Sequence, residues 1–242
     1  MTHDEIRFGR QYLAHVSHLI DRVATEEWEA IAAAARLIAD ALLAGRDIHA
    51  LGSGHSHMLA EEMFYRAGGL VDVRPILFEG LMLHADAPMS TCLERLPGLA
   101  EILLERHGLR SGDVLLVFSN SGRNPITVEA AETAKRHGVS VIAITSRRHS
   151  ESTAARGGTH RLFEVADVVI DNGGEPGDAA IHIPGFDQAV APTSTAVGAA
   201  IVNAIVAEAV ALVVDAGVTP RVFVSNNIDV GDARNALLES RT

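Results

Sequence analysis

Two short segments gather the groups that could hold an anion. The first is Gly52-Ser53-Gly54-His55-Ser56-His57. It follows the strand-like run DIHAL at 47–51 and precedes a helical stretch at 58–67. The second is Ser119-Asn120-Ser121-Gly122-Arg123-Asn124-Pro125, between the apolar run DVLLVF at 113–118 and a helix over 125–137. Glycines let backbone approach a ligand closely, and unpaired N–H groups at a helix N-terminus bind anions. The hydroxyls of Ser53 and Ser56 add donors. Asn124 is placed to cap the second helix and Pro125 to be its first residue. Capping explains neither Ser119 nor Ser121. Each loop alone also reads as a tight strand-to-helix turn. Together they describe a phosphate cradle of helix dipoles, hydroxyls and amides. A dinucleotide fingerprint would want glycine where His57 stands.

A neutral cradle suits the rest of the chain. The 242 residues carry a net charge of −11, and Lys135 is the single lysine. A Walker-type phosphate loop therefore lacks its lysine, and Schiff-base chemistry has only Lys135 to use. The acidity argues against nucleic acid as a partner. Cys92 is the only cysteine, which excludes intrachain disulfides and cysteine-clustered zinc, and a cytoplasmic location is expected. No apolar run is read as long enough to span a membrane, and MTHDEIRFGR is too polar for a secretory signal. No membrane partner is expected.

The elements that must position the two loops follow from periodicity. Leu13, Val16, Ile20 and Val23, then Trp28, Ile31, Ala35, Ile38 and Leu42, recur at helical spacing. Thr25 is the expected N-cap of the second helix and Gly45 its stop. From residue 47 strands alternate with helices: strands at 47–51, 71–78, 113–118, 139–145 and 166–170, with helices at 58–67, 99–107, 125–137 and 194–216. Residues 80–98 read as irregular, 171–192 as a long Gly/Pro-rich loop, and 222–224 as a last short strand. This alternation predicts an α/β fold, a flavodoxin-like three-layer αβα sandwich on a five-stranded parallel sheet, with ligands at the strand carboxyl ends. It is read as one domain, with helices at 1–45 packing on the core or on a partner subunit and the sandwich at 46–242.

GSGHS at 52–56, SNSGRN at 119–124, VIAIT at 141–145 and ADVVID at 166–171 resemble the SIS (sugar isomerase) domain family of phosphosugar-binding proteins, over about residues 25 to 225. Within it, the chain looks like stand-alone bacterial members labelled phosphoheptose isomerases. The second loop is similar to the family's S-x-S-G-x-T motif, with Asn124 in the threonine position. The resemblance implies that Ser119, Ser121 and Asn124, with Asn120 and Gly122 between them, wrap a sugar phosphate, while Ser53 and Ser56 line the sugar side. It also implies a homodimer or homotetramer with sites near the subunit interface. The family's activities include aldose–ketose isomerisation, amino-sugar phosphate ether cleavage and sugar sensing.

Such chemistry begins by removing a proton beside a carbonyl, which calls for a carboxylate or imidazole base and a second acid. Glu61 and Glu62 are adjacent on the helix at 58–67, so only one can face the ligand. Glu62, four residues beyond Met58, is favoured. The stretch AEEMFYR at 60–66 looks like the AEE helix of phosphoheptose isomerases, and a gapped match puts the functional glutamate at Glu62. The same match puts Met58 where a metal-binding histidine would stand, which speaks against a zinc isomerase. His55 and His57 form an H-x-H without a matching third ligand. No metal or cofactor is expected, and His55 is instead a candidate acid. Glu79 and His84 follow the second strand, and Glu79 is the candidate second acid/base. Glu175, Asp178 and His182 in the long loop are candidates to touch the sugar or a neighbouring subunit. Ser194, with Thr193, either caps the last long helix or faces a sugar hydroxyl. Lys135 is expected to be a solvated surface charge.

The leading expectation is an enzyme acting on an amino-sugar 6-phosphate, such as N-acetylglucosamine 6-phosphate, by C2 proton abstraction and elimination at C3. The alternatives are an aldose–ketose isomerase and a non-catalytic sugar-phosphate sensor.

Overall fold

The computed structural model describes residues 7–158 and 160–239. The ends of the expected 1–45 and 46–242 segments, residues 1–6 and 240–242, lie outside the described residues.

Two helices, α1 (Phe8–Glu26) and α2 (Trp28–Leu43), lead into the first strand. Then follow β1 (Ile48–Gly52), α3 (His57–Met63), β2 (Val73–Pro75), α4 (Leu83–Leu93) and α5 (Leu99–Arg106). The second half runs β3 (Val114–Phe118), α6 (Pro125–Arg136), β4 (Ser140–Thr145), α7 (Arg147–Glu151), α8 (Leu162–Val165) and β5 (Val168–Asp171). A hairpin of β6 (Ala179–Ile181) and β7 (Val190–Pro192) precedes α9 (Ser194–Asp215) and α10 (Gly231–Glu239).

The five-stranded sheet is parallel throughout, in the order β2-β1-β3-β4-β5. The central strands are buried on both faces, which is why they read as unbroken apolar runs. In β3, Val114, Leu116 and Phe118 enter the core shared with α1, α2, α3 and α9. Leu115 and Val117 point the other way, into the core under α5, α6 and α8. This period-two division makes the three layers.

Several expectations are corrected. The expected helix over 58–67 ends at Met63, because Phe64 turns to an extended backbone and Tyr65 (φ 45°) redirects the chain onto Phe223, ring centroids 4.7 Å apart. The second strand is short because it lies at the sheet edge and pairs only with β1. The stretch at 80–98 holds a real helix, α4. It breaks at Asp86, whose carboxylate accepts from the Met89 N–H at 3.0 Å, and resumes around Pro88, where a first turn tolerates proline. The loop at 171–192 carries the β6–β7 hairpin. Residues 222–224 form no strand, only a bridge between Leu70 and Val222.

Thr25 is not the cap of α2. It lies inside α1 and its hydroxyl donates to the Asp21 and Arg22 carbonyls, while Glu27 occupies the cap position. Lys135 is not simply solvated: its ammonium donates to Asp167 Oδ1 at 2.7 Å and to the Val165 carbonyl. The apolar runs were also underestimated, since α9 is long and apolar enough to cross a membrane by length and composition. Here it is a core helix, burying Val197, Ile201, Val202, Ile205, Ala209 and Val213.

Candidate functional site

In this strand order the direction of crossover reverses between β1 and β3, and that switch point is where open α/β sheets bind ligands. Both serine loops leave the carboxyl ends of those two strands.

The first loop turns immediately. A Cβ on Gly52 would lie 2.4 Å from the Ser56 carbonyl oxygen, so only glycine permits this backbone approach. Ser56 N–H donates to the Ser53 carbonyl at 3.1 Å, closing the 3-10 turn that enters α3. The Ser53 hydroxyl donates to Glu94 Oε2 at 3.1 Å. His57 is buried; its Nδ1 bonds the Gly54 carbonyl, its Nε2 lies 3.7 Å from Glu61, and its ring faces His84 at 6.0 Å between centroids.

The second loop is held from beneath. Gly122 takes φ +55° and donates its N–H to Ser119 Oγ at 3.1 Å. The Asn120 carbonyl accepts from Ser146 N–H and Thr145 Oγ1, and its side-chain oxygen accepts from Asn172 Nδ2 at 2.9 Å. Asn120 Nδ2 is buried without a partner among the described residues. The backbone N–H groups of Asn120 and Ser121 make no hydrogen bond among the described residues. Asn124 occupies the cap position, but its side chain makes no capping bond. Its Oδ1 accepts from Arg156 Nη1 at 3.1 Å, so the expected capping role is corrected.

The third wall is the start of α9. Asp178, at φ +70°, accepts from the N–H groups of Thr193 (3.2 Å) and Ser194 (2.9 Å) and from the Ser194 hydroxyl (2.5 Å). The cap of α9 is thus a carboxylate from the long loop rather than Thr193 or Ser194. Burial pulls the neighbouring His149 below the ordinary histidine pKa, with Asp178 opposing and Arg123 adding to the shift.

These pieces enclose a narrow cleft lined by Ser56, Ser119, Asn120, Asn172, Ser194 and Thr195 with Leu59, Phe118 and Ile144. A larger cleft, about 260 Å³, lies apart from both serine loops between Tyr65, Phe223 and Asn226. The smaller one sits at the strand ends, where the helix N-termini converge, and is the better candidate.

Of the expected site residues, the fold brings Ser56, Ser119, Asn120 and Ser194 to one cleft. Ser53, Ser121, Gly122 and Asn124 belong to the same two loops without lining it. The expected acid/base groups lie elsewhere. Glu62 accepts from Arg66 Nη1 and, at 2.8 Å, from Asn203 Nδ2. Asn203 is two turns further along α9 than Thr195, about 12 Å at 1.5 Å per residue. Glu79 is exposed at the start of a 3-10 turn, and His55 and His84 are exposed. Among the described residues, no three His, Cys, Asp or Glu side chains gather closely enough to hold a metal ion.

Sequence reasoning missed Asn172, Thr195 and Glu94. Asn172 directly follows β5, so the strand-end rule could have found it. Glu94 closes a helix hidden in a segment read as irregular, and nothing in its spacing pointed to Ser53.

The family model described as SIS domain matches residues 11–146. A UPF0309 protein of Geobacillus thermodenitrificans is 44% identical over 226 residues, 93% of this chain and 91% of that protein. A UPF0309 protein of Listeria innocua is 42% identical over 228 residues, 94% of this chain and 92% of that one. Among solved structures, the phosphoheptose isomerase of Neisseria gonorrhoeae superposes with a TM-score of 0.55 at 18% identity, over 84% of this chain and 95% of that one. A phosphoheptose isomerase from Francisella tularensis gives 0.57 at 17% identity, over 86% and 98%. At these identities the likeness is one of fold.

Proposed function

The chain belongs to the SIS domain family, and from that premise we propose that it binds a phosphorylated sugar in the cleft between β1, β3 and α9 and acts on it as an enzyme. One observation carries this reading. The two serine loops meet at the topological switch point, with hydroxyls, amides and unpartnered backbone N–H groups around one cleft. The phosphate sits on the 119–124 loop, on the N–H groups of Asn120 and Ser121 and the hydroxyls of Ser119 and Ser121. The sugar lies across Ser56, Asn172, Ser194 and Thr195, whose neutral donors and acceptors match its hydroxyls.

The reaction favoured is elimination on an amino-sugar 6-phosphate such as N-acetylglucosamine 6-phosphate. A carboxylate takes the C2 proton, the C2–C3 double bond forms, and the C3–O bond breaks as its oxygen takes a proton. Among the carboxylates of the described residues, Glu94 is the one hydrogen-bonded to the first loop, and it is the base in this reading. The test is to incubate the protein with N-acetylglucosamine 6-phosphate and follow ultraviolet absorbance. An unsaturated product supports elimination. Ketose–aldose interconversion of sedoheptulose 7-phosphate, with no such product, replaces it with isomerisation.

A second reading, a sugar-phosphate sensor, is favoured by the cleft lining itself, which holds hydroxyls and amides but no carboxylate among the described residues. It predicts binding of sugar phosphates without turnover, unchanged by Glu94→Gln.

A further inference from the structure

We propose that Arg95, Arg123 and Arg156 form a second anion site beside the serine loops, so that the ligand is a sugar phosphate bearing a second anionic group, a carboxylate or another phosphate. The proposal rests on the phosphosugar reading above and names its substrate class.

The three guanidinium groups come from three separate segments. Arg95 follows the end of α4, Arg123 lies inside the SNSGRN loop, and Arg156 comes from the connection between α7 and α8. Arg123 and Arg156 are joined by specific bonds, and the Glu94 carbonyl, which accepts from Ile126 N–H at 3.2 Å, places the neighbouring Arg95 at the start of α6 beside them. Arg156 N–H donates to the Arg123 carbonyl at 3.0 Å, and Arg156 Nη1 donates to Asn124 Oδ1 at 3.1 Å. Arg123 Nε is buried with no partner among the described residues.

Some of the other arginines in this acidic chain are paired with carboxylates: Arg22 with Asp171 at 3.1 Å, Arg74 with Asp47 at 3.2 Å, Arg221 with Asp72 at 2.8 Å. Arg95, Arg123 and Arg156 make no ion pair among the described residues. Glu94 is turned to the Ser53 hydroxyl, and Glu129 and Glu132 line a pocket with Arg156 without pairing with it. Desolvation, then Arg95 and Arg123, hold Arg156 below the ordinary arginine pKa, with Glu94 opposing. Like charges gathered at a fixed place cost free energy, and an anion between them removes that cost while gaining charge-assisted hydrogen bonds.

Position gives the ligand its form. Arg123 and Asn124 are in the loop assigned to the phosphate, and Glu94 joins the cluster to Ser53 of the other loop. An anion held by the arginines is therefore adjacent to the phosphate site and within the span of one small molecule.

The test measures affinity by calorimetry for glucose 6-phosphate, 6-phosphogluconate and glucose 1,6-bisphosphate. The probes are wild-type protein, Arg156→Gln and the exposed Arg95→Gln, each confirmed folded by its thermal transition. At least one of the two double anions is expected to bind wild type about tenfold tighter than glucose 6-phosphate, the scale of one charged hydrogen bond. Which of them does so identifies carboxylate or phosphate. Both variants are expected to remove that advantage and leave glucose 6-phosphate within about twofold. Binding of glucose 6-phosphate with no advantage for either double anion overturns this proposal alone. So does an equal loss for all three ligands, which means that the arginines hold the single phosphate. No binding of any phosphosugar overturns the functional reading and this proposal with it.

Discussion

The Ser53 hydroxyl donates to the Glu94 carboxylate at 3.1 Å, and the Glu94 carbonyl accepts from Ile126 N–H, at the start of α6, at 3.2 Å. One residue at the end of α4 therefore ties the β1 loop to the helix that follows the β3 loop. Glu62 has no such link, being held by Arg66 and Asn203 on the flank of α9.

Glu94→Gln is accordingly expected to reduce turnover of N-acetylglucosamine 6-phosphate by roughly 100-fold or more, the usual worth of a general base. The amide keeps an oxygen for Ser53, so phosphosugar affinity should change little. Glu62→Gln should leave turnover within a few-fold. Steady-state rates and binding on both variants decide the matter, and the reverse pattern returns the base to Glu62.

Gly52→Ala should damage the first loop without touching any ligand. Its Cβ would meet the Ser56 carbonyl oxygen at 2.4 Å and the His57 nitrogen at 2.8 Å. Both are backbone atoms, which no side-chain rotation can move aside. A loss of about 1–3 kcal/mol is expected from overpacking, read as a lower midpoint in urea, with weaker phosphosugar binding.

The central sheet and the serine loops were legible because β1, β3 and β4 are buried on both faces, so VLLVF and VIAIT announce themselves, and each runs straight into its polar loop. The carboxylate now proposed as the base was not legible. The choice of Glu62 took Met58 to mark a buried face, yet Met58 is 42% exposed, so the spacing argument rested on a solvent-facing side chain. Glu94 was invisible because Pro88 and the break at Asp86 erase the helical period of α4. Asn172 and Asp178 act across distances of chain that no local pattern records: Asn172 bonds Asn120, and Asp178 caps α9.

Asp178→Asn and Asp178→Ala separate charge from geometry at the start of α9. Asparagine tolerates φ +70° and keeps one acceptor for the Thr193 and Ser194 N–H groups; alanine does neither. The alanine variant should lose about 1–2 kcal/mol, as for a lost cap, and asparagine less. Ser194 loses its carboxylate partner in both, so weaker phosphosugar binding in both variants, measured by calorimetry, would place Ser194 orientation in the site. Unchanged affinity would remove it.

At the opposite end of the sheet, His49 and Asp113 form a buried pair, with Nε2 and Oδ2 3.3 Å apart and exposures of 2% and 0%. Asp113 also accepts from the N–H groups of Asp47 (3.2 Å) and Arg110 (2.8 Å), so its lone pairs are well used. Burial holds His49 below the ordinary histidine pKa; Asp113 and Asp47 oppose this and His107 adds to it. The sign follows. Below an unfolded pKa of about 6.5 the unfolded chain takes up a proton that the folded chain still refuses, so stability falls as pH drops through that value toward the depressed folded pKa. Above it the contribution is constant. Burial also depresses His107 and His149, which act in the same direction. Urea unfolding between pH 7.5 and about 5.5 should show decreasing stability, with at most about 1.4 kcal/mol per pH unit for each such histidine. His49→Gln can keep a donor for Asp113 and cannot titrate, so its stability should decline less steeply. A slope equal to that of wild type would show that the His49 imidazole does not carry the effect.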